Sequence, residues 1–487
     1  MVFNSIQFVL FFVVVVAVYW RLSHRHRTYL LLAGSYFFYG CWDWRFLSLL
    51  LISTIVDYNT GLLIAKSEAQ SVRRRWLAVS MIVNLGLLGV FKYFNFFVGS
   101  LHEVLLATGV KHSVPVLSII LPVGISFYTF QTMSYTLDIY RGKMQPTRDF
   151  LNFALFVSFF PQLVAGPVER AASLLPQMSA EKTFSTRACA SGIELMAWGF
   201  FKKMFIADNL AVIVDHVYST PVGEQSGIEI LLAMYAFTIQ IYCDFSGYSD
   251  IARGTARCLG FELRMNFRCP FFATNPQEFW SRNHISLSTW LRDYLYFSLG
   301  GNRGGEWFTY RNIMITMLLG GLWHGAAWTF VFWGAYCGAA LMIHRLVWGR
   351  WGRKDQDSEA LPEHPVVYRV LKRAVLAFGF FNVHCIGMIF FRGVSVSQVL
   401  DMYVAIATDW NVGVLGGWFA KQMLFYLWFW FLAELVWFTR ERATGEMVDM
   451  PRFANSVVVR AMAALFMVSS VLMFGSFDAQ QFIYFQF

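Results

Sequence analysis

Phe8-Val9-Leu10-Phe11-Phe12-Val13-Val14-Val15-Val16-Ala17-Val18-Tyr19-Trp20 is an unbroken apolar run, and its apolar character extends back towards Val2. Further long apolar stretches lie near residues 29–41, 47–65, 76–98, 190–206, 228–242, 312–343, 370–391, 421–438 and 458–476. A membrane helix needs about 20 apolar residues, and on that criterion the chain holds roughly ten to thirteen membrane-embedded segments, some of which need not span. The first run lacks a basic start and a small-residue cleavage site, so it reads as a retained helix and not as a signal peptide.

Composition points the same way. Of 487 residues, 57% are hydrophobic and 14% charged, where a soluble domain usually carries about 25% charged residues. Phe occurs 50 times and Trp 18 times, an excess that fits lipid-facing helices with aromatic residues at the interfaces. The net charge of +9 gathers at Arg21–Arg27, Arg73–Arg75, Arg345–Lys354 and Arg440–Arg442. Positive loops tend to stay in the cytoplasm, which puts the N-terminus, and with it the C-terminus, outside. The basic balance therefore describes topology, and no basic, stacking-rich soluble surface suggests nucleic acid. Cys41, Cys189, Cys243, Cys258, Cys269, Cys337 and Cys385 show no C-x-x-C spacing and mostly lie in or beside apolar segments, as small hydrophobes do. No His/Asp/Cys cluster has metal-ligand spacing.

These features predict an all-α integral membrane protein with one membrane domain over residues 1–487. It divides into N-terminal helices (1–110), a central core (111–350) and C-terminal helices (366–487), with the soluble-looking loop Arg353–Pro365 before the last part. No inverted repeat of the transporter kind is visible. From Leu121 to Gly305 the apolar runs are short and broken, as at Leu121-Pro122-Val123-Gly124, Phe160-Pro161-Gln162 and Gly166-Pro167. Broken backbone at membrane depth survives only where protein or water satisfies it, so function is expected in this part.

Asn275-Pro276 followed by Gln277-Glu278 reads as a helix start. Trp280, His284, Leu287, Leu291 and Tyr294 then recur at spacings of three and four, predicting one face of a continuous helix that stops at Gly300-Gly301. Glu278 and Arg282 are placed to pair. His284 is either a core histidine bonded to a carbonyl or a site residue. Gly320-Gly321-Leu322-Trp323-His324-Gly325-Ala326-Ala327-Trp328 sets one ionisable residue inside a long apolar segment. Such a group usually faces a cavity or a partner, and histidine suits proton transfer. The flanking glycines leave room for a substrate or for another helix. Asp244 and Asp250 in Tyr242–Asp250 could orient a histidine, hold a basic residue or cap a helix. Gly300-Gly301-Asn302-Arg303-Gly304-Gly305 could cradle phosphate or be a basic turn, and it lacks the P-loop lysine pattern.

Taken in order, several long motifs resemble the alginate O-acetyltransferase type of the membrane-bound O-acyltransferase family. They are Leu121–Gln131, Phe160–Pro167, Phe201-Lys202-Lys203 with Ile206-Ala207-Asp208, Asp244–Asp250, Glu278–Trp280, His284–Tyr296, Leu299–Arg303, Gly320–Ala326 and Phe482–Phe487, covering nearly the whole chain. The resemblance implies roughly 11 transmembrane helices ringing a thinned centre, with re-entrant and interfacial helices and a through-membrane tunnel. It implies that His324 is the catalytic residue and His284 the second active-site position. It further implies acetyl transfer from cytoplasmic acetyl-CoA, a substrate and not a bound cofactor, to an exopolysaccharide through a periplasmic partner of the serine-centred SGNH type, at the bacterial inner membrane. On this reading His324 acts as general base, while His284 orients the acyl group or supports the oxyanion. Arg303, Asn302, Arg311, Trp323, Trp290, Asp244 and Ser286 are candidates for binding substrate or acyl donor, and Lys202 and Lys203 for holding phosphates if they face the cytoplasm. Asn283, where the alginate-type pattern usually has an aromatic residue, leaves the polymer open. Peptidoglycan or cellulose O-acetylation and D-alanyl transfer to teichoic acid share the chemistry. A transporter without chemistry, or a scaffold for a secretion complex, would share only the membrane.

Overall fold

The computed structural model describes residues 1–109, 117, 119–164, 166–356, 365–411, 414–445, 457–476 and 482–483. Ala165, most of the loop before Pro365 and the terminal Tyr484–Phe487 lie outside the described residues. Every regular element among the described residues is helical. Six stretches are long and apolar enough to cross a membrane: His24–Lys66, Gln70–Ala107, Gly227–Cys258, Trp328–Val347, Val367–Arg392 and Ala420–Thr444. Ile6–Tyr19, Phe150–Leu163, Val396–Thr408 and Val458–Phe474 are shorter apolar helices. The apolar run at the N-terminus is one of these, a 14-residue helix opened by the Ser5 side chain, which accepts from the Phe8 N–H. At 1.5 Å per residue it covers about 21 Å, short of a hydrocarbon core of about 30 Å. The chain is a multi-pass, all-α membrane protein.

The chain gathers into two compact units, residues 1–196 with 251–264, and residues 197–250 with 265–487. The helices run α1 Ile6–Tyr19, α2 His24–Asp43, α3 Leu47–Lys66, α4 Gln70–Leu88, α5 Phe94–Ala107, α6 Ile125–Tyr140, α7 Phe150–Ser158, α8 Phe160–Leu163, α9 Ala171–Ser179 and α10 Thr186–Phe200. They continue with α11 Asp208–Ser219, α12 Gly227–Cys258, α13 Pro276–Arg282, α14 Ile285–Trp290, α15 Glu306–His324, α16 Trp328–Gln356, α17 Val366–Arg392, α18 Val396–Thr408, α19 Val414–Thr444 and α20 Val457–Phe474.

In the first unit α3, α4 and α6 pack around a closed polar network. Ser80 donates to Asp57 Oδ1 at 2.5 Å and Asn84 Nδ2 to Asp57 Oδ2 at 2.8 Å, while Ser53 donates to Asn84 Oδ1 at 2.7 Å. All four are fully buried, and the polar atoms satisfy one another, as membrane-embedded polar groups require.

In the second unit α15 and α16 form a helical hairpin. The long apolar segment read from the sequence is broken after His324, with a turn before α16 begins at Trp328. Of the two uses the sequence left open for the glycines flanking His324, Gly321 serves the helix–helix approach, and Gly334 across from it does the same. A Cβ on Gly321 would lie 2.2 Å from the Phe330 carbonyl oxygen, and one on Gly334 would lie 2.4 Å from that of Met317. Backbone cannot step aside as a side chain can, and small residues at membrane helix contacts serve this close approach. Gly321→Ala is expected to lower stability by about 1–3 kcal/mol through overpacking. Thermal unfolding of the purified protein in detergent checks this, and an unchanged midpoint would mean that the hairpin can separate at no cost.

Candidate active site

His284 does not lie on the face of a continuous helix. α13 starts as the sequence predicts, with Asn275 accepting from the Glu278 N–H and Pro276 in the first turn. Arg282 pairs with Glu278 at 3.1 Å. The helix then ends, and His284 adopts φ 45°, ψ 50°, the left-handed region. The reason is competition from the segment around Asn266. The Arg268 N–H takes the Arg282 carbonyl at 2.8 Å, and the Ile285 N–H takes the Asn266 carbonyl at 2.9 Å. Both groups are thereby lost to a helical ladder. A non-glycine residue in this conformation costs of order 1–2 kcal/mol and persists only where its surroundings hold it. The chain resumes as α14 and a π-helical turn at Leu291–Tyr296. Glycines 300, 301, 304 and 305, all at positive φ, then carry it to α15.

The break turns the imidazole of His284 into the interior, where it is 3% exposed. His324, the last residue of α15, is 5% exposed. The two ring centroids are 6.1 Å apart. Spacing along the chain could not show this, since 40 residues separate them. Trp323 stands 5.8 Å from the His284 ring and 5.1 Å from that of His324. Trp333 and Phe391 approach His324 at 5.1 and 5.3 Å, and Phe245 meets His284 edge-on at 4.6 Å. The pair thus sits within an aromatic wall built from α12, α15, α16 and α17. His284 lies outside the six candidate spans, and burial pushes its imidazole down to about 3, so it is neutral near physiological pH.

Asn266, which sequence reasoning missed, organises the His284 side. Its Oδ1 accepts from the Ser286 N–H at 3.1 Å and the Ser286 hydroxyl at 2.9 Å, and it stands 3.3 Å from His284 Nδ1. A single asparagine between apolar neighbours carries no periodic signal that would have revealed it. Trp333 and Phe391 were equally silent among the many aromatic residues of apolar helices.

The structure places the other candidates apart from one another. Trp323 lies against both histidines, and Ser286 lies beside His284 through Asn266. Trp290 is buried and packs on Tyr294 at 5.2 Å. Asn302, Arg303 and Arg311 are exposed at the turn and at the start of α15. Arg311 donates to Asn312 Oδ1 at 2.9 Å, and the helical rise puts it about 20 Å along the axis from His324. Asn312 in turn ties the glycine turn down through the Gly301 carbonyl at 2.9 Å.

The two lysines expected to hold phosphates are internal. Lys202 Nζ lies 2.7 Å from Asp250 and 2.9 Å from the Ser246 hydroxyl. Lys203 Nζ lies 2.7 Å from both Asp208 and Asp244. All five charged side chains are buried. The lysines stand on a π-helical turn, Phe201–Ala207, which widens the helix so that consecutive side chains can reach separate acids. Asp244 therefore holds a basic residue and does not orient a histidine, and its other oxygen accepts the Ile483 N–H at 2.8 Å. Asn283 engages through its backbone, its carbonyl accepting the Ser288 hydroxyl at 3.1 Å.

The model of the MBOAT, membrane-bound O-acyltransferase, family matches residues 144–356, a span that contains both histidines. A protein of Pseudomonas putida named probable alginate O-acetylase AlgI is 38% identical over 508 residues, covering all of both chains. The chain belongs to the membrane-bound O-acyltransferase family. A protein of Azotobacter vinelandii with the same name is 42% identical over 419 residues, 85% of this chain and 80% of that one. A peptidoglycan O-acetyltransferase of Helicobacter pylori is 38% identical over 341 residues, 65% of this chain and 64% of that one. As a member of this family the chain is an O-acyltransferase, and the pair His284–His324 is its candidate reacting centre.

Proposed function

We propose that the chain takes acetyl from cytoplasmic acetyl-CoA and passes it across the inner membrane for O-acetylation of an exopolysaccharide such as alginate, with a periplasmic SGNH-type partner. The observation that carries this reading is the pair of buried histidines 6.1 Å apart, in a chain whose full-length relative is named an alginate O-acetylase. CoA carries several phosphates and will not enter hydrocarbon, so a passage admitting only the pantetheine arm would bring the thioester to the pair. Arg303, exposed in the glycine turn, and Arg311, exposed in the first part of α15, remain the candidates for the phosphates.

At the pair, an acceptor hydroxyl oxygen bonds to the thioester carbon while its proton goes to His324 as general base, and the carbon–sulfur bond breaks. The departing sulfur then takes that proton. General-base help of this kind contributes about 10²–10⁴-fold. The aromatic wall excludes water, which would otherwise compete for the thioester. A second acceptor, peptidoglycan, is favoured by the 38% identity to the Helicobacter pylori enzyme.

The test is transfer of labelled acetyl from acetyl-CoA by the purified protein in nanodiscs, with its periplasmic partner, offered alginate or peptidoglycan fragments. Label on alginate is expected. Label on peptidoglycan alone would reassign the acceptor, and no transfer from acetyl-CoA to either would end the proposal.

A further inference from the structure

We propose that Asn266 is a positioning residue that fixes the tautomer of His284, so that His284 meets substrate through a bare Nε2 as a hydrogen-bond acceptor and never as an N–H donor to the oxyanion. Taken as a statement about catalysis, this rests on the histidine pair being the reacting centre.

The argument is one of hydrogen-bond accounting. An amide side chain shows its oxygen and nitrogen almost alike, and only its partners tell them apart. Here a partner decides. The Ser286 backbone N–H points at Asn266 from 3.1 Å, and a backbone N–H can only donate. The atom it meets must therefore be the oxygen. On the other side the Asn266 Nδ2 donates to the Ser249 hydroxyl at 3.5 Å, which suits the same orientation. The atom that stands 3.3 Å from His284 Nδ1 is thus an acceptor oxygen. A neutral imidazole facing an acceptor through Nδ1 keeps its hydrogen there, and its Nε2 is left with a lone pair.

That lone pair is buried and has no hydrogen-bond partner among the described residues. A buried acceptor without a partner loses its hydration for nothing unless a donor arrives. The ring lies 6.1 Å from that of His324 and 5.8 Å from that of Trp323, so a donor bound to Nε2 stands beside the reacting centre. The chemistry that fits is an N–H or O–H of a bound substrate other than the attacking hydroxyl, whose single proton goes to His324; an amide N–H of the pantetheine arm or a neighbouring sugar hydroxyl meets this need. A developing oxyanion needs donors and would find only a repelling lone pair. Of the two tasks read from the sequence, orienting the acyl group and supporting the oxyanion, the geometry rules out the second; the first is met through a donor beside the acyl group, since acetyl itself carries no O–H or N–H.

The left-handed backbone belongs to the same device. It brings the Ser286 N–H and the His284 ring to one oxygen, which a continuous helix would have kept apart.

The direct test is solid-state nitrogen NMR on full-length protein labelled with nitrogen-15 histidine in lipid bilayers. The His284→Asn variant identifies the His284 signals by difference. The expected spectrum shows a protonated Nδ1 and a bare Nε2 that persist as pH falls through 6.5, the ordinary histidine value. A protonated Nε2 overturns the proposal. The kinetic arm compares Asn266→Asp, which keeps an acceptor oxygen, with Asn266→Leu, which has none. Asn266→Leu is expected to lower kcat about tenfold or more, as misplaced groups do, with little change in KM for acetyl-CoA. Asn266→Asp is expected to recover most of that loss and to keep the bare Nε2. Equal kcat and an unchanged His284 spectrum in Asn266→Leu would also overturn the proposal. The spectrum of the wild type needs no turnover, so it stands or falls separately from the choice of acetyl-CoA and acceptor.

Discussion

A His324→Ala protein is expected to transfer acetyl about 10²–10⁴-fold more slowly than wild type, the share that a positioned base contributes. Its fold should be kept. The imidazole ends α15, its neighbours Trp333 and Phe391 pack on each other at 5.1 Å, Trp323 also packs on His284, and the Gly321–Gly334 approach that holds the hairpin is a backbone contact that does not use the His324 side chain. The measurement is initial rate with labelled acetyl-CoA at matched protein, alongside thermal unfolding. Unreduced transfer by a folded variant would remove His324 from the chemical step. His284→Ala should also lose transfer, but it changes a residue in a strained conformation, so its stability must be compared before its rate is read.

Lys203→Met is expected to cost about 3–5 kcal/mol of stability, because deleting one partner of a buried ion pair leaves uncompensated charge. Here two carboxylates, Asp208 and Asp244, share the one ammonium at 2.7 Å each. None of the three side chains is more than 4% exposed, so solvent does little to screen the loss. Unfolding in detergent reads the change. A shift below about 1 kcal/mol, the size of a solvated surface pair, would mean that water reaches this cluster.

Much of this was legible in the sequence because apolar runs and helix signals act locally. The all-helical membrane class followed from the runs, and the start of α13 from Asn275-Pro276 and Glu278. What was not legible depends on distant segments. The 3.6-residue spacing from Trp280 to Tyr294 is real, yet the helix breaks at residue 284 because Asn266 and Arg268 compete for its backbone groups. Lys202 and Lys203 look like free cations in a linear reading, and only the fold brings Asp244 and Asp250 of α12 onto them. His284 and His324 were linked by resemblance, and their 6.1 Å approach comes from the turn after α15 meeting the break after α13.

The backbone at residue 284 also acts as a filter on what this position can become. Few side chains tolerate the left-handed region, and Gly, Asn and Asp do so most readily, with β-branched residues the worst. Substitutions at this place are therefore sorted by chain geometry before chemistry is tried. A carboxamide can replace the imidazole without redrawing the break, and it still offers an oxygen to a donor. A valine or isoleucine would undo the path between α13 and α14 first. A library built at the second histidine should therefore be limited to small polar residues.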